Sequence, residues 1–458
     1  MTAQPQSCVL DIHLKADLAN TSKYGRMFPT LPTLQVQEPD LLALGKAGAA
    51  IDVASDAPAM DNPRIPAGFT MLGHFIAHDL TADRSLLRHH ANLRVVRNFR
   101  EPYLDLEALY GSGPSGAPYL YDANDPDKFL LGKNDAGEED DVPRNRQGRA
   151  LLGDARNDVH GILAQFHLLL LKFHNAAVDE VRAQGAAPSD VFSQAQRNVR
   201  WHVQWIVLHQ YLPLIVGAEL ASEVREKGPQ HLRFGPHPFI PVEFSDAAYR
   251  FGHSQIRSFY RLNATKTESI IPGLQGGKAI PASAVVDWRY FFQLDNDVVP
   301  QASRRIAPTM AHALLDLPET MVGAAEVPEY HSLACRDLLR GRALNLPSGE
   351  AVARFLGVPV LTSEQIQLDR FGWRNETPLW YYILREAEVL ANGQHLGPVG
   401  GRIVAEVLVG LIDDDPLSYR KADPNWTPAF VRSASDDFTI ETLIRFAKLA
   451  HAGTRSRN

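Results

Sequence analysis

The chain has 458 residues, 45% of them hydrophobic and 22% charged, a composition that excludes wholesale disorder and fibrous repeats. A formal net charge of -7 offers no basic field, so nucleic acid and anionic membranes are unfavoured as partners. Cys8 and Cys335 allow at most one disulfide, and no stretch reaches the roughly 20 apolar residues of a membrane span. The start, MTAQPQSCVLDIH, has no basic-then-apolar leader pattern, so the expectation is a cytoplasmic protein.

Residues 1–66 carry Pro5, Pro29, Pro32, Pro39, Pro58, Pro63 and Pro66 with little periodicity, and are predicted to form an arm packed on a core, with a short helix around 41–50. The core is expected to be one domain, 67–458, because no repeat of fixed period and no glycine-serine linker divides it. In GFTMLGHFIAHDLT, which runs from Gly68 to Thr81, Phe69, Leu72, Phe75, Ile76 and Leu80 fall at helical spacing, which predicts a buried helix interrupted by polar groups. Residues 98–147 are rich in Gly, Pro, Asp and Asn and read as a long surface excursion. The spacing predicts a long helix over 154–181 with Asp158 in its acidic first turn, and another over 194–216 with Pro213 kinking its end. Further helices are expected over 247–262, 309–315, 332–342, 349–355, 379–392, 399–412 and 438–450. Strand signals are few, so the fold class is mainly α.

Three segments carry residues suited to chemistry. In GHFIAHD, His74 and His78 are four apart and share a helix face. A zinc-protease helix would need Glu immediately after the first His, where Phe75 stands; a pair of satisfied core histidines is the plainer alternative. PRNRQGRALLGDARND places Arg156 near a helix start, where the dipole disfavours a cation and something should compensate it. AYRFGHSQIRSFYRLN sets His253 among Phe251, Ile256 and Phe259, with Arg250 three residues earlier.

Read together and in order, these segments resemble the peroxidase-cyclooxygenase superfamily, the animal-type haem peroxidases, and in particular its compact bacterial members. DNPRIPAGFTMLGHFIAHDLT is similar to the family's distal-histidine helix and NFREPYLDLEALYG to its calcium loop. GDARND with KFHN is similar to its catalytic-arginine helix, AYRFGHSQI to its proximal-histidine helix, and RDLLRGRALNLPSG to its proximal support segment. The resemblance implies a helical fold with haem b between central helices. It implies a peroxidase that reduces hydrogen peroxide through a ferryl intermediate and oxidises small one-electron donors. His253 would be the iron ligand, Asp337 its hydrogen-bond partner in place of the usual Asn, and Arg250 and Arg340 would face the haem propionates. The plainer alternative for Asp337 is a surface pair with Arg336 or Arg340. On the peroxide side, His78 would move protons and Arg156 would stabilise developing negative charge.

Departures from the family pattern qualify these roles. His74 stands where Gln orients distal water or halide, which puts halide oxidation in doubt. The ester-forming carboxylates of mammalian members fall at Ala77 and Val159, so the haem should be non-covalent, and Asp158 does not replace them because one helical step turns a side chain by about 100°. Asp79, Glu101, the Tyr103 carbonyl, Asp105 and Glu107 match the calcium positions, with two Glu in place of smaller ligands; a surface acidic loop is the alternative. Arg250 occupies the place of the oxygenases' radical-forming Tyr, and Tyr249 beside it is expected to point elsewhere. Fatty-acid dioxygenase and a haem-binding protein with lost turnover are therefore the alternative functions.

Overall fold

The structure, a computed structural model, describes residues 23–53, 57–82, 98–235, 237–322, 327–430 and 437–455, with side chains to residue 447. Cys8 lies outside the described residues, and Cys335 is a buried free thiol. The fold is mainly α. Among the described residues the strands form only two-stranded pairings, and no helix is long and apolar enough to cross a membrane.

Two helices set the frame. α1 (Glu38–Gly45) belongs to the N-terminal segment, while α2 (Gly68–Leu80) and α3 (Gly161–Ala183) lie at the centre. α3 buries Ile162, Leu163, Phe166, Leu170 and Phe173 on its apolar stripe and also Gln165, His167 and His174, so it is covered on nearly every side. α2 packs on α3 and on a 3₁₀ helix, Ala248–Gln255. α4 (Val191–Ile206) runs beside α3, then passes through a π turn, Val207–Tyr211, just before Pro213. Proline lacks the N–H needed to continue the helical ladder, so the predicted kink is realised as this local widening. α5 (Leu333–Ala343), α6 (Leu379–Ala391) and α7 (Pro398–Asp414) close the far side, with α6 and α7 against the 3₁₀ helix. α8 (Ile440–Arg455) lies along α3, where Phe173 meets Phe438 and Phe446.

The described part of the N-terminal segment is packed on the core: Phe28, Leu41, Leu44, Ile51 and Ile65 are buried. The N–H groups of Met27 and Phe28 donate to the buried Glu243 carboxylate at 3.0 and 3.3 Å. Where α1 ends, a Cβ on Gly45 would stand 2.7 Å from the Cys335 backbone nitrogen, so only glycine permits α1 to approach α5 this closely.

Four sequence expectations change. The helix expected from 154 begins only at Gly161, after a 3₁₀ turn, Ala155–Asp158; Asp158 instead holds Arg144 at 2.8 and 2.9 Å. The helix expected over 247–262 is a 3₁₀ helix followed by a strand, Phe259–Arg261. At 309–315 a short strand, Thr309–Met310, precedes one helical turn, His312–Leu315. The excursion at 98–147 is not all surface, since Leu104, Leu106, Tyr110, Leu120, Tyr121 and Phe129 are buried.

Burial also makes the fold sensitive to acid. His174 and His202 are each pushed from 6.5 down to about 4, mainly by desolvation. In the unfolded chain they protonate near 6.5, so below that pH the unfolded state binds more protons and stability falls as pH drops towards 4. Buried Asp79, raised to about 8, and Glu386, raised to about 7, act in the opposite direction, but His160 and His167, at about 3, add to the histidine side. The expected outcome is a thermal midpoint that declines steadily between pH 6.5 and 4.5; a level midpoint would contradict this account.

Candidate active site

The two faces of the site are built by α2 and the 3₁₀ helix. A cavity of about 280 Å³ lies between them, lined by His74, Ala77, Val159 and His160 on one side and by Phe251 and His253 on the other. Ile256, Ile270, Leu314 and Leu333 give it an apolar wall.

On the His253 side, three residues per 3₁₀ turn stack Arg250 directly over His253. Both therefore reach the same carboxylate: Arg250 Nη1 donates to Asp337 Oδ1 at 2.9 Å and His253 Nδ1 to Asp337 Oδ2 at 2.6 Å. Asp337 is fully buried, so it is not the surface residue of the alternative reading. With Nδ1 committed, Nε2 is the nitrogen left for a metal, and the carboxylate raises its donor strength. Arg250 Nη2 also holds Asp246 at 3.1 Å, and Arg340 Nη1 reaches the same oxygen at 3.3 Å. Both guanidiniums expected at the propionates are thus already carboxylate-bound. Arg336, whose affinity for its proton is lowered by burial and by Arg340, donates to the Tyr330 carbonyl at 3.4 Å, and none of the three arginines is among the residues that line the cavity. Sequence reasoning missed Asp246, although its i,i+4 spacing to Arg250 was a usable signal.

On the other side, the rings of His74 and His78 meet edge to face at 4.5 Å. His78 Nδ1 lies 2.8 Å from Asn157 Oδ1, and Asn157 Nδ2 lies 3.0 Å from His167 Nδ1. An amide oxygen only accepts and an amide nitrogen only donates, so His78 carries its hydrogen on Nδ1 and keeps a lone pair on Nε2. Burial, then the Arg156 charge, pushes His78 down to about 4, so it is neutral at physiological pH. Burial and the neighbouring His78, His160 and His253 likewise lower His74. Neither Asn157 nor His167 was singled out from sequence. Asn157 follows Arg156 in a turn, where nothing but the fold shows which way an amide points.

Arg156 lies beside His78 but is less free than expected. Its Nη2 donates to the His78 carbonyl at 3.0 Å and to the Thr81 carbonyl, and its Nε to Asp154 Oδ1 at 3.1 Å. Burial alone would raise the Asp154 carboxyl, yet Arg156 and Arg100 together hold it far below its ordinary value. Asp154 is the compensation that a cation at this turn requires.

Residues 53–371, more than half of the chain, match the family model described as animal haem peroxidase. The chain belongs to the animal haem peroxidase family. It is 33% identical over 337 residues to Heme peroxidase 2 of Caenorhabditis elegans, covering 64% of this chain and 42% of that protein. It is 23% identical over 357 residues to Peroxidasin of Drosophila melanogaster, covering 69% of this chain and 22% of that one. The chain thus spans less than half the length of these curated relatives. Peroxidase A from Dictyostelium discoideum superposes with a TM-score of 0.61 at 18% identity, over 88% of this chain and 87% of that one. Oryza sativa fatty acid alpha-dioxygenase gives 0.60 at 14% identity, over 90% and 76%. At such identities the two structures show the shared fold.

Within this family frame, Ala77 and Val159 both face the cavity, so the ester positions are present as places but not as carboxylates. Asp158 is engaged by Arg144 and is not a substitute. Tyr249, expected to point elsewhere, lines the cavity and donates to the Tyr211 hydroxyl at 3.1 Å. In the acidic loop the carboxylates already have partners within the protein. Burial and then the nearby Asp105 raise Asp79, and burial raises Asp105, but Asp79 accepts from the Leu106 and Ala108 N–H groups at 2.9 Å. Glu101 pairs with Lys23 at 2.5 Å and Glu107 with Arg100 at 3.0 Å, while Tyr103 sets its phenol beside Asp414. Among the described residues no group of three His, Cys, Asp or Glu side chains is arranged to hold a metal ion. The two Glu are long enough to reach cations of the protein itself, and that is where they go.

Asn157→Leu should leave the fold intact and slow any reaction that uses His78 as a base, by about 10- to 100-fold, the lower range for a positioned acid-base group. Unchanged peroxide kinetics in that variant would remove the amide from the site. Calcium added after chelation should leave the melting temperature unchanged; a rise of several degrees would show that Glu101 and Glu107 leave Lys23 and Arg100 to bind it.

Proposed function

We propose that this protein is a haem-dependent peroxidase that reduces hydrogen peroxide and oxidises small one-electron donors, with haem b held non-covalently. The observation that carries the reading is one cavity lined both by His253, tied to a buried carboxylate, and by His74, whose ring meets that of the amide-anchored His78. The residues fit the group: an imidazole whose Nδ1 is engaged offers Nε2 to iron, and the apolar wall suits a porphyrin. Ala77 and Val159 offer no ester oxygen, which supports non-covalent binding.

Bound haem supplies the electrons that peroxide takes up. The chain supplies ligation and proton traffic. His253 Nε2 holds the iron, and Asp337 fixes the ring and is itself held by Arg250. His78 Nε2 takes a proton from hydrogen peroxide and returns it to the oxygen that leaves as water, while Asn157 keeps the ring in the tautomer that this needs. Arg156 adds positive charge beside His78, reduced by its pairing with Asp154. The relatives' names and the family support this activity for the shared region.

Protein produced with haem supplied should show a Soret band that His253→Ala abolishes. His78→Leu should keep the band and lower the peroxide rate constant by on the order of 100-fold or more. In the wild type that rate should rise with pH through about 4 and stay level above it, because protonated His78 has no lone pair. A band retained in His253→Ala would end the reading.

A further inference from the structure

The wall that carries His74 also holds a hydrogen-bond donor without an assigned role. His160 is the extended residue between the 3₁₀ turn and α3, and it caps the helix: the Leu163 N–H donates to its Nδ1 at 3.2 Å. A neutral imidazole that accepts on Nδ1 carries its hydrogen on Nε2. The residue is 8% exposed and lines the cavity, and its Nε2 is buried without a hydrogen-bond partner. Unsatisfied buried donors are rare in native proteins and concentrate where a ligand or the chemistry supplies the acceptor. The His160 ring centroid lies 5.5 Å from that of His74, which is 4.5 Å from that of His78, so the three imidazoles form one cluster. Arg156 has meanwhile committed Nε and Nη2 to Asp154 and to two backbone carbonyls.

We propose that His160 is a further catalytic residue: its Nε2–H, held in place because Nδ1 caps α3, donates a hydrogen bond to the peroxide oxygen on which negative charge develops as the O–O bond breaks. The inference rests on the peroxidase reading and adds a donor to it. The pair of electrons from the broken bond stays with the outer oxygen, which takes back the proton held by His78 and leaves as water; His160 transfers no proton. Its geometry comes from the helix backbone rather than from another side chain, so the donor is oriented before substrate arrives, which is what electrostatic stabilisation of a transition state requires. Burial keeps the ring neutral down to about pH 3, so this donation is constant over the working pH range.

The test is His160→Asn in the haem-loaded protein, because an Asn oxygen still caps the Leu163 N–H while no imidazole N–H remains. The Soret band and melting temperature should be unchanged and the peroxide rate constant should fall about 100-fold. Fluoride bound to the ferric haem uses the same donor, so its affinity, read by spectral titration, should weaken about tenfold. Should the Asn variant fail to fold, His160→Ser also preserves the cap and carries the same expectations. Wild-type fluoride affinity and peroxide rate in the capped variant, with His78→Leu still impaired, would overturn the role of His160 alone. A wild-type protein that binds haem but gives no reaction with peroxide would instead overturn the peroxidase reading, and fluoride affinity would then decide separately whether His160 donates into the cavity.

Discussion

The buried carboxylate of Asp337 organises one half of this molecule. It sits at zero exposure on α5 and joins His253 to Arg250, residues of a different segment. A lone carboxylate would be costly there, and it is tolerated because two donors from the 3₁₀ helix converge on its two oxygens. The convergence depends on the helix type. With three residues per turn, positions 250 and 253 lie one above the other, whereas an α-helix would turn them apart by about 60°. Removing Asp337 would leave Arg250 and His253 without their common partner and free the imidazole to turn, so ligation geometry and local stability have the same origin.

The opposite half relies on burial without charge. His74, His78, His160 and His167 are all pushed towards the neutral form, chiefly by desolvation. Neutral imidazoles can share a small volume where protonated ones would repel, and each can then act as donor on one nitrogen and acceptor on the other. The tautomers are set from outside the cavity, by the Asn157 amide for His78 and His167 and by the backbone of α3 for His160. Arg156, a permanent cation beside His78, is balanced by Asp154, which Arg100 also holds at 2.6 Å, so the acidic loop that begins at Arg100 is wired to the turn behind the site.

What could be read from sequence follows the physics of periodicity. α2, α5, α6 and α7 lie within a few residues of the stretches where apolar positions recur at helical spacing, because burying one stripe decides both the pattern and the structure. The 3₁₀ helix was not legible. Its residues are apolar at spacings an α-helix would also satisfy, and what selects the tighter turn is the pair of bonds to Asp337, a residue more than eighty positions away. In the same 3₁₀ helix Tyr249 lines the cavity, against expectation. The start of α3 was misplaced because its cap is a histidine, a residue outside the usual capping set, while Asp158 looked like first-turn chemistry. Family likeness singled out His253, His78 and Arg156 as candidates, but it could not show that Glu101 and Glu107 would find partners in Lys23 and Arg100.

The distal wall then has a consistent physical character. Where mammalian members are expected to carry esterifying carboxylates, this chain has Ala77 and Val159, and where Gln is usual it has His74. Charged or covalent attachments to the porphyrin edge are thus replaced by small apolar groups and neutral rings. Under the proposed peroxidase function, haem would then be retained by axial ligation and apolar contact rather than by bonds to the ring. Such a site gains its catalytic polarity from oriented neutral dipoles, which burial strengthens because no solvent competes with them. That combination ties the orientation of these rings to the integrity of α3, since the same backbone that caps on His160 also presents His167 to Asn157 and, through it, orients His78.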